Sequence, residues 1–179
     1  MSGLWVFVCG ASGAGKDSVM GWAATHLGDY PAVVFARRMV TRAPHGGSDH
    51  DPVTPAQFSR LLASGQLAWH WAAHGFEYGI DVRYAADVAA GRTVVVNGSR
   101  EHAVGLLSTA NVRVVNIMAE KELLAARLER RGRDAPQEVA ARLERNDRFE
   151  NLQTHHTIVN RGLLADAGRS LVHYLAPGA

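Results

Sequence analysis

Cysteine is almost absent. Cys9 is the only one in 179 residues, so no internal disulfide can form, and a reducing, cytoplasmic location is expected. Lysine is nearly as scarce: of 19 Lys and Arg residues, only Lys16 and Lys121 are lysine. A GC-rich genome explains that bias, and it draws attention to where Lys16 sits. No apolar run approaches the ~20 residues of a membrane span. The N-terminus has no basic region ahead of a long apolar segment, so neither anchor nor leader is expected. The net charge of +2 is too small to argue for nucleic acid as a partner.

What is present reads as one domain with a substantial core: 47% of residues are hydrophobic and 20% charged. Apolar runs alternate with helical patterns. Strands are expected at 4–9, 32–36, 93–96, 113–118 and 157–160, with a strand pair in "LAWHWAAHGFEYG" around a turn at Gly75. Helices are expected at 16–27, 55–63 (capped by Thr54), 81–90, 100–107, 121–131, 137–149 and 163–175. The stretch "TRAPHGGSDHDPVTPAQF" is polar and contains Gly and Pro. Strands alternating with helices predict an α/β sandwich about a mostly parallel sheet. Cys9, in a central strand, reads as a small buried hydrophobe.

The run "GASGAGKDS" follows the first strand and opens the first helix. Its pattern, Gly10…Gly15-Lys16, is that of a phosphate-binding loop. Glycines let backbone N–H groups turn inward around a polyphosphate, and the helix start adds its positive dipole end. The expected cradle is Gly10, Ala11, Ser12, Gly13, Ala14, Gly15, Lys16, Asp17 and Ser18. Lys16 reaches the β- and γ-phosphates. The place after the lysine, normally Ser or Thr, holds Asp17, so Ser18 is assigned to magnesium. Two roles are open to Asp17: stabilising the helix start, or touching a metal-bound water or the acceptor.

Arginines supply the rest of the charge. Arg38 and Arg42, four apart after a short strand, offer a bidentate fork for an acceptor phosphate; the alternative is surface charge. "RLERRGRDAPQEVAARLER" reads either as a mobile arginine lid or as a solvated helical hairpin with Glu–Arg pairs. His155 and His156, adjacent in an expected strand, point to opposite faces and are not read as a metal site. His45, His50 and His74 are expected at the acceptor-side surface.

A phosphate loop, an arginine pair and a late arginine lid stand in kinase order. The layout resembles the guanylate kinase-like P-loop kinases over nearly the whole chain, through "GASGAGKDS", "TRAP" with a following Gly and acidic pair, "HGFEYG", "RLERRGRD…RL" and "IVN". The resemblance implies a P-loop three-layer sandwich with an acceptor-binding insertion at about 37–80 and a helical lid at about 130–143. It implies ATP and Mg²⁺. It places Tyr78 with Arg38 and Arg42 on the acceptor's phosphate, Arg131 and Arg142 in the lid as catalytic partners of Lys16, and Asn160 on the adenine side.

The departures bear on the acceptor. Guanylate kinases read guanine with carboxylates in runs such as "EWA" and "DID". Here those places are His70-Trp71-Ala72 and Asn97-Gly98-Ser99, and a "YxF" run is missing. Losing such polar readers costs orders of magnitude in specificity. "GKDS" and "VVVNGSR" (94–100) instead resemble the ribose 1,5-bisphosphate phosphokinases of phosphonate utilisation. That resemblance implies transfer from ATP to a small phosphorylated sugar, giving 5-phosphoribosyl 1-diphosphate, with no nucleic acid or membrane involved. Asn97, Ser99 and Arg100 are placed on this substrate, with Asp49 and Asp51 as further acceptors for ribose hydroxyls. Trp69, Trp71 and His70 stand where guanine is vacated, and ordinary strand packing is preferred for the tryptophans. The rival readings are a nucleoside monophosphate kinase of altered base choice and an inactive kinase-like binding module.

Overall fold

The computed structural model describes residues 3–11, 13–43, 49–120, 123–124, 149 and 152–177. Ser12, His45, nearly all of the expected helices at 121–131 and 137–149, and the lid with Arg131 and Arg142 lie outside them.

Five strands form one all-parallel sheet. They are β1 (Leu4–Gly10), β2 (Val33–Ala36), β7 (Thr93–Asn97), β8 (Val112–Met118) and β9 (His156–Val159), in the order β2-β7-β1-β8-β9. The central strands β7 and β1 are nearly continuous apolar runs because both faces are covered, and β8 is apolar apart from Arg113 and Asn116. Alternation splits β1 cleanly. Val6 and Val8 face α1 (Lys16–His26) and α5 (Leu164–Leu175), joining Val19, Ala23, Val95, Ile117 and Leu171 in one core. Trp5, Phe7 and Cys9 face the other way, into a second core with Val94, Val96, Val114, Trp71, Tyr78 and Ile80. Helices α3 (Tyr84–Ala89) and α4 (Arg100–Val104) bring Tyr84 and Ala103 to that second core. The sandwich expected from the alternating pattern is therefore present.

A smaller four-stranded sheet lies on the second core. Its order is β4-β3-β6-β5, from β3 (Arg38–Val40), β4 (His50–Pro52), β5 (Leu67–Ala73) and β6 (Phe76–Asp81). β5 and β6 form the expected hairpin, with His74 and Gly75 both at positive φ in the turn. Helix α2 (Pro55–Ala63) begins where the sequence indicates. The Thr54 side chain accepts from Gln57 N, and the Gln57 side chain accepts from Thr54 N.

Two expectations of helix length need correction. The helix expected over 100–107 ends at Val104, with Gly105 as its C-cap. Residues 81–90 are not all helical: Asp81 ends β6, its carboxylate accepts from Arg83 N at 2.8 Å, and that turn delays the helix to Tyr84. The polar stretch before Thr54, for which the sequence gives no strand signal, contains β4, paired in parallel with β3.

Candidate active site

The carboxyl ends of β1 and β7 lie side by side, with Val8 opposite Asn97. The crevice beyond such strand ends is where open α/β sheets bind ligands. The loop after Gly10 enters it. A side chain on Gly10 would put its Cβ 2.6 Å from the Ile117 carbonyl oxygen, so only glycine lets β1 run this close to β8. Gly13 (φ 89°) and Gly15 (φ 82°) hold left-handed backbone that other residues resist, and Gly15 is the N-cap of α1. The Ala14 N–H donates to the Ala11 carbonyl at 3.1 Å. Gly10, Gly13 and Gly15 thus each meet a backbone requirement of this loop.

Lys16 leads α1 with a largely buried side chain. Its Nζ donates to Asp17 Oδ1 at 2.8 Å and to Asn97 Oδ1. Asn97 Nδ2 in turn donates to Asp17 Oδ1 at 2.8 Å. These three side chains close a ring across residues 80 positions apart. Burial pushes the Lys16 ammonium below its ordinary value; Asp17 opposes that and Arg38 adds to it. Burial by itself raises the Asp17 carboxyl, but the Lys16 charge and hydrogen bonds from Lys16 and Asn97 outweigh it and hold Asp17 at about 2. Asp17, at the start of α1, thus bonds both Lys16 and Asn97 and also feels the charge of Arg38. Ser18 is exposed in the first turn of α1.

Arg38 and Tyr78, both expected on an acceptor phosphate, lie together, the guanidinium carbon 5.5 Å from the ring centroid. Arg42 lies equally far from the ring of Phe76. Phe76 and Tyr78 are two apart on β6, so they share a face and carry the two arginines along it. Burial lowers Arg38, with Asp17 opposing and Arg42 adding. Its Nε is buried with no hydrogen-bond partner among the described residues. Lys16 and Arg38 thus both act on the Asp17 carboxylate, and Arg42 adds positive charge beside Arg38.

The remaining expected residues have the following surroundings. Asn160 is buried beneath the loop. Its Nδ2 donates to the Ala14 carbonyl at 2.8 Å, and its Oδ1 accepts from Gly162 N, so it holds the cradle from below. The Ser99 hydroxyl accepts from His102 N and caps α4. Arg100 lies over the Phe149 ring at 4.9 Å. Asp49 and Asp51, expected on ribose hydroxyls, both pair with Arg37, a residue with no signal in the sequence. His50 is not at the surface; it is buried, and its Nε2 donates to the Arg42 carbonyl at 3.1 Å. Trp71 is core, as preferred. Burial pushes the Cys9 thiol up to about 11, which suits its place in the core. His155 accepts from Val114 N while His156 stacks on Tyr174. Among the described residues no three His, Cys, Asp or Glu converge as a metal site.

No family model matches the chain. It is 39% identical to a ribose 1,5-bisphosphate phosphokinase PhnN of Agrobacterium fabrum over 178 residues, covering 97% of both chains. It is 41% identical to the protein of that name in Burkholderia pseudomallei, over 95% of this chain and 94% of that one. Among solved structures, a guanylate kinase from Anaplasma phagocytophilum superposes with a TM-score of 0.69 at 18% identity, over 98% of this chain and 86% of that one. The structural likeness gives the fold, an α/β P-loop kinase sandwich. The sequence identity, held across almost the full length of both partners, gives more: the chain belongs to the ribose 1,5-bisphosphate phosphokinase family.

Proposed function

We propose that this chain transfers the γ-phosphoryl group of ATP to the 1-phosphate of ribose 1,5-bisphosphate, giving 5-phosphoribosyl 1-diphosphate and ADP. Near-full-length identity with that family carries the reading. The ring of Lys16, Asp17 and Asn97, set against Arg38, supports it.

The acceptor oxygen is already anionic, so no general base is required. It attacks the γ-phosphorus, and the bond to the β-bridging oxygen breaks to release ADP. What the protein must supply is cancellation of charge and alignment of two polyanions. The loop from Gly10 to Ser18 binds the ATP phosphates through backbone N–H groups. Lys16, held in place by Asp17 and Asn97, turns its ammonium to the β- and γ-phosphates. Arg38, Arg42 and Tyr78 hold one acceptor phosphate; Asn97, Ser99 and Arg100 border the sugar and the other. By the family resemblance, Arg131 and Arg142 close over the transferring group.

An exposed hydroxyl beside phosphate oxygens and water is a donor set that suits a small hard cation. Ser18 is therefore the protein's ligand for Mg²⁺, which when bound neutralises charge on the β- and γ-phosphates. Dependence on ATP places the reaction in the cytoplasm, and neither nucleic acid nor membrane takes part. The test is ³¹P NMR of a mixture of enzyme, Mg-ATP and ribose 1,5-bisphosphate. A new sugar-linked diphosphate appearing in step with ADP is expected; ADP without that diphosphate would contradict the transfer.

A further inference from the structure

Four side chains from four elements stack in one column. Arg38 on β3 lies over Tyr78 on β6, 5.5 Å from the ring centroid. Tyr78 is parallel to its cross-strand partner Trp71 on β5, with centroids 5.5 Å apart and planes 7° apart. Trp71 is parallel to His102 on α4, at 4.7 Å and 13°. Phe7 of β1 closes the side of the column, edge-on to both Trp71 and His102. The far plate, His102, has an enclosed Nδ1 with no hydrogen-bond partner among the described residues. With no acceptor for a proton there among the described residues, the neutral ring with its N–H on Nε2 is favoured. Burial first, and then His70, lower its affinity for a proton in the same sense. At the near end, the buried Arg38 Nε is also without a hydrogen-bond partner among the described residues, and the guanidinium rests on a ring face.

We infer that His102 is a positioning residue for acceptor binding, setting the angle of Arg38 through Trp71 and Tyr78. The inference rests on the acceptor-side role proposed above for Arg38. Flat aromatic stacks fix ring planes, and small misplacements of a phosphate-holding group are costly.

Two readouts test it on His102→Ala and His102→Phe, with thermal melts as a check that both fold. Steady-state kinetics with Mg-ATP should show KM for ribose 1,5-bisphosphate rising on the order of tenfold in His102→Ala. kcat and the KM for ATP should stay within about twofold, and His102→Phe should restore the wild-type KM. NMR of the arginine Nε–H region, assigned with Arg38→Lys, should show the Arg38 signal moved in His102→Ala and restored in His102→Phe. An unmoved Arg38 signal in a folded His102→Ala protein overturns the inference, whatever the acceptor. So does an unchanged KM. Wild-type protein inactive on ribose 1,5-bisphosphate overturns the acceptor assignment instead, and the NMR result then decides the inference alone.

Discussion

Lys16 and Asp17 carry the densest chemistry in the chain. Replacing Lys16 by Ala removes the cation aimed at the phosphates and leaves the loop backbone intact. Turnover should fall by at least about 10²–10³-fold, with a cooperative thermal melt retained. Wild-type turnover in that variant would contradict the phosphate-loop assignment. Asp17 makes a pH prediction. Its carboxyl is depressed from 3.8 to about 2 in the fold. A depressed acid stabilises the fold above its unfolded value, and that contribution is lost as pH falls through the folded one. Wild type should therefore lose slightly more stability than Asp17→Asn between about pH 4 and pH 2. The side chain is 63% exposed, so screening keeps the difference small. Urea midpoints measured across that range check it, and parallel curves would contradict it. The sequence offers two roles for Asp17 because its partner Asn97 is 80 positions away. A motif shows neighbours along the chain, not those that a parallel crossover brings together.

At the scale of elements, what the sequence reveals follows the length of the pattern. β1, β7 and β8 are apolar runs long enough to read, and α2 carries its own start signal in Thr54, Pro55 and Gln57. Thr54→Ala removes the reciprocal cap. It should cost about 1 kcal/mol and lower the melting temperature by roughly 2–4 °C, with catalysis unchanged. An unshifted melt would mean that tertiary contacts, not the cap, hold that helix. β3 and β4 are three residues each. Alternation over three residues is no signal, and Pro52 at the end of β4 argues against a strand locally. Their pairing is instead fixed by β6 and by Arg37 bridging to Asp49 and Asp51. The same blindness hides His50, which reads as a surface histidine until β4 carries it inside.

For the whole molecule, one face of the large sheet is covered by α1 and α5, while the other carries the small sheet and α3 and α4. That division puts the phosphate loop on the large sheet and the arginines on the small one, with Asn97 and Asp17 where the two meet. The fold class and the phosphate loop are legible because glycine spacing and strand–helix alternation are local. The role of Asn160 as a strut under Ala14 is not, since a buried asparagine has no local signature until its hydrogen bonds are seen. The acceptor depends on which side chains line the cleft between the sheets, so it demands a direct comparison. ADP release should be measured with Mg-ATP, setting ribose 1,5-bisphosphate against GMP at matched concentration. The account predicts release with the sugar bisphosphate and little with GMP; release with GMP alone would contradict it.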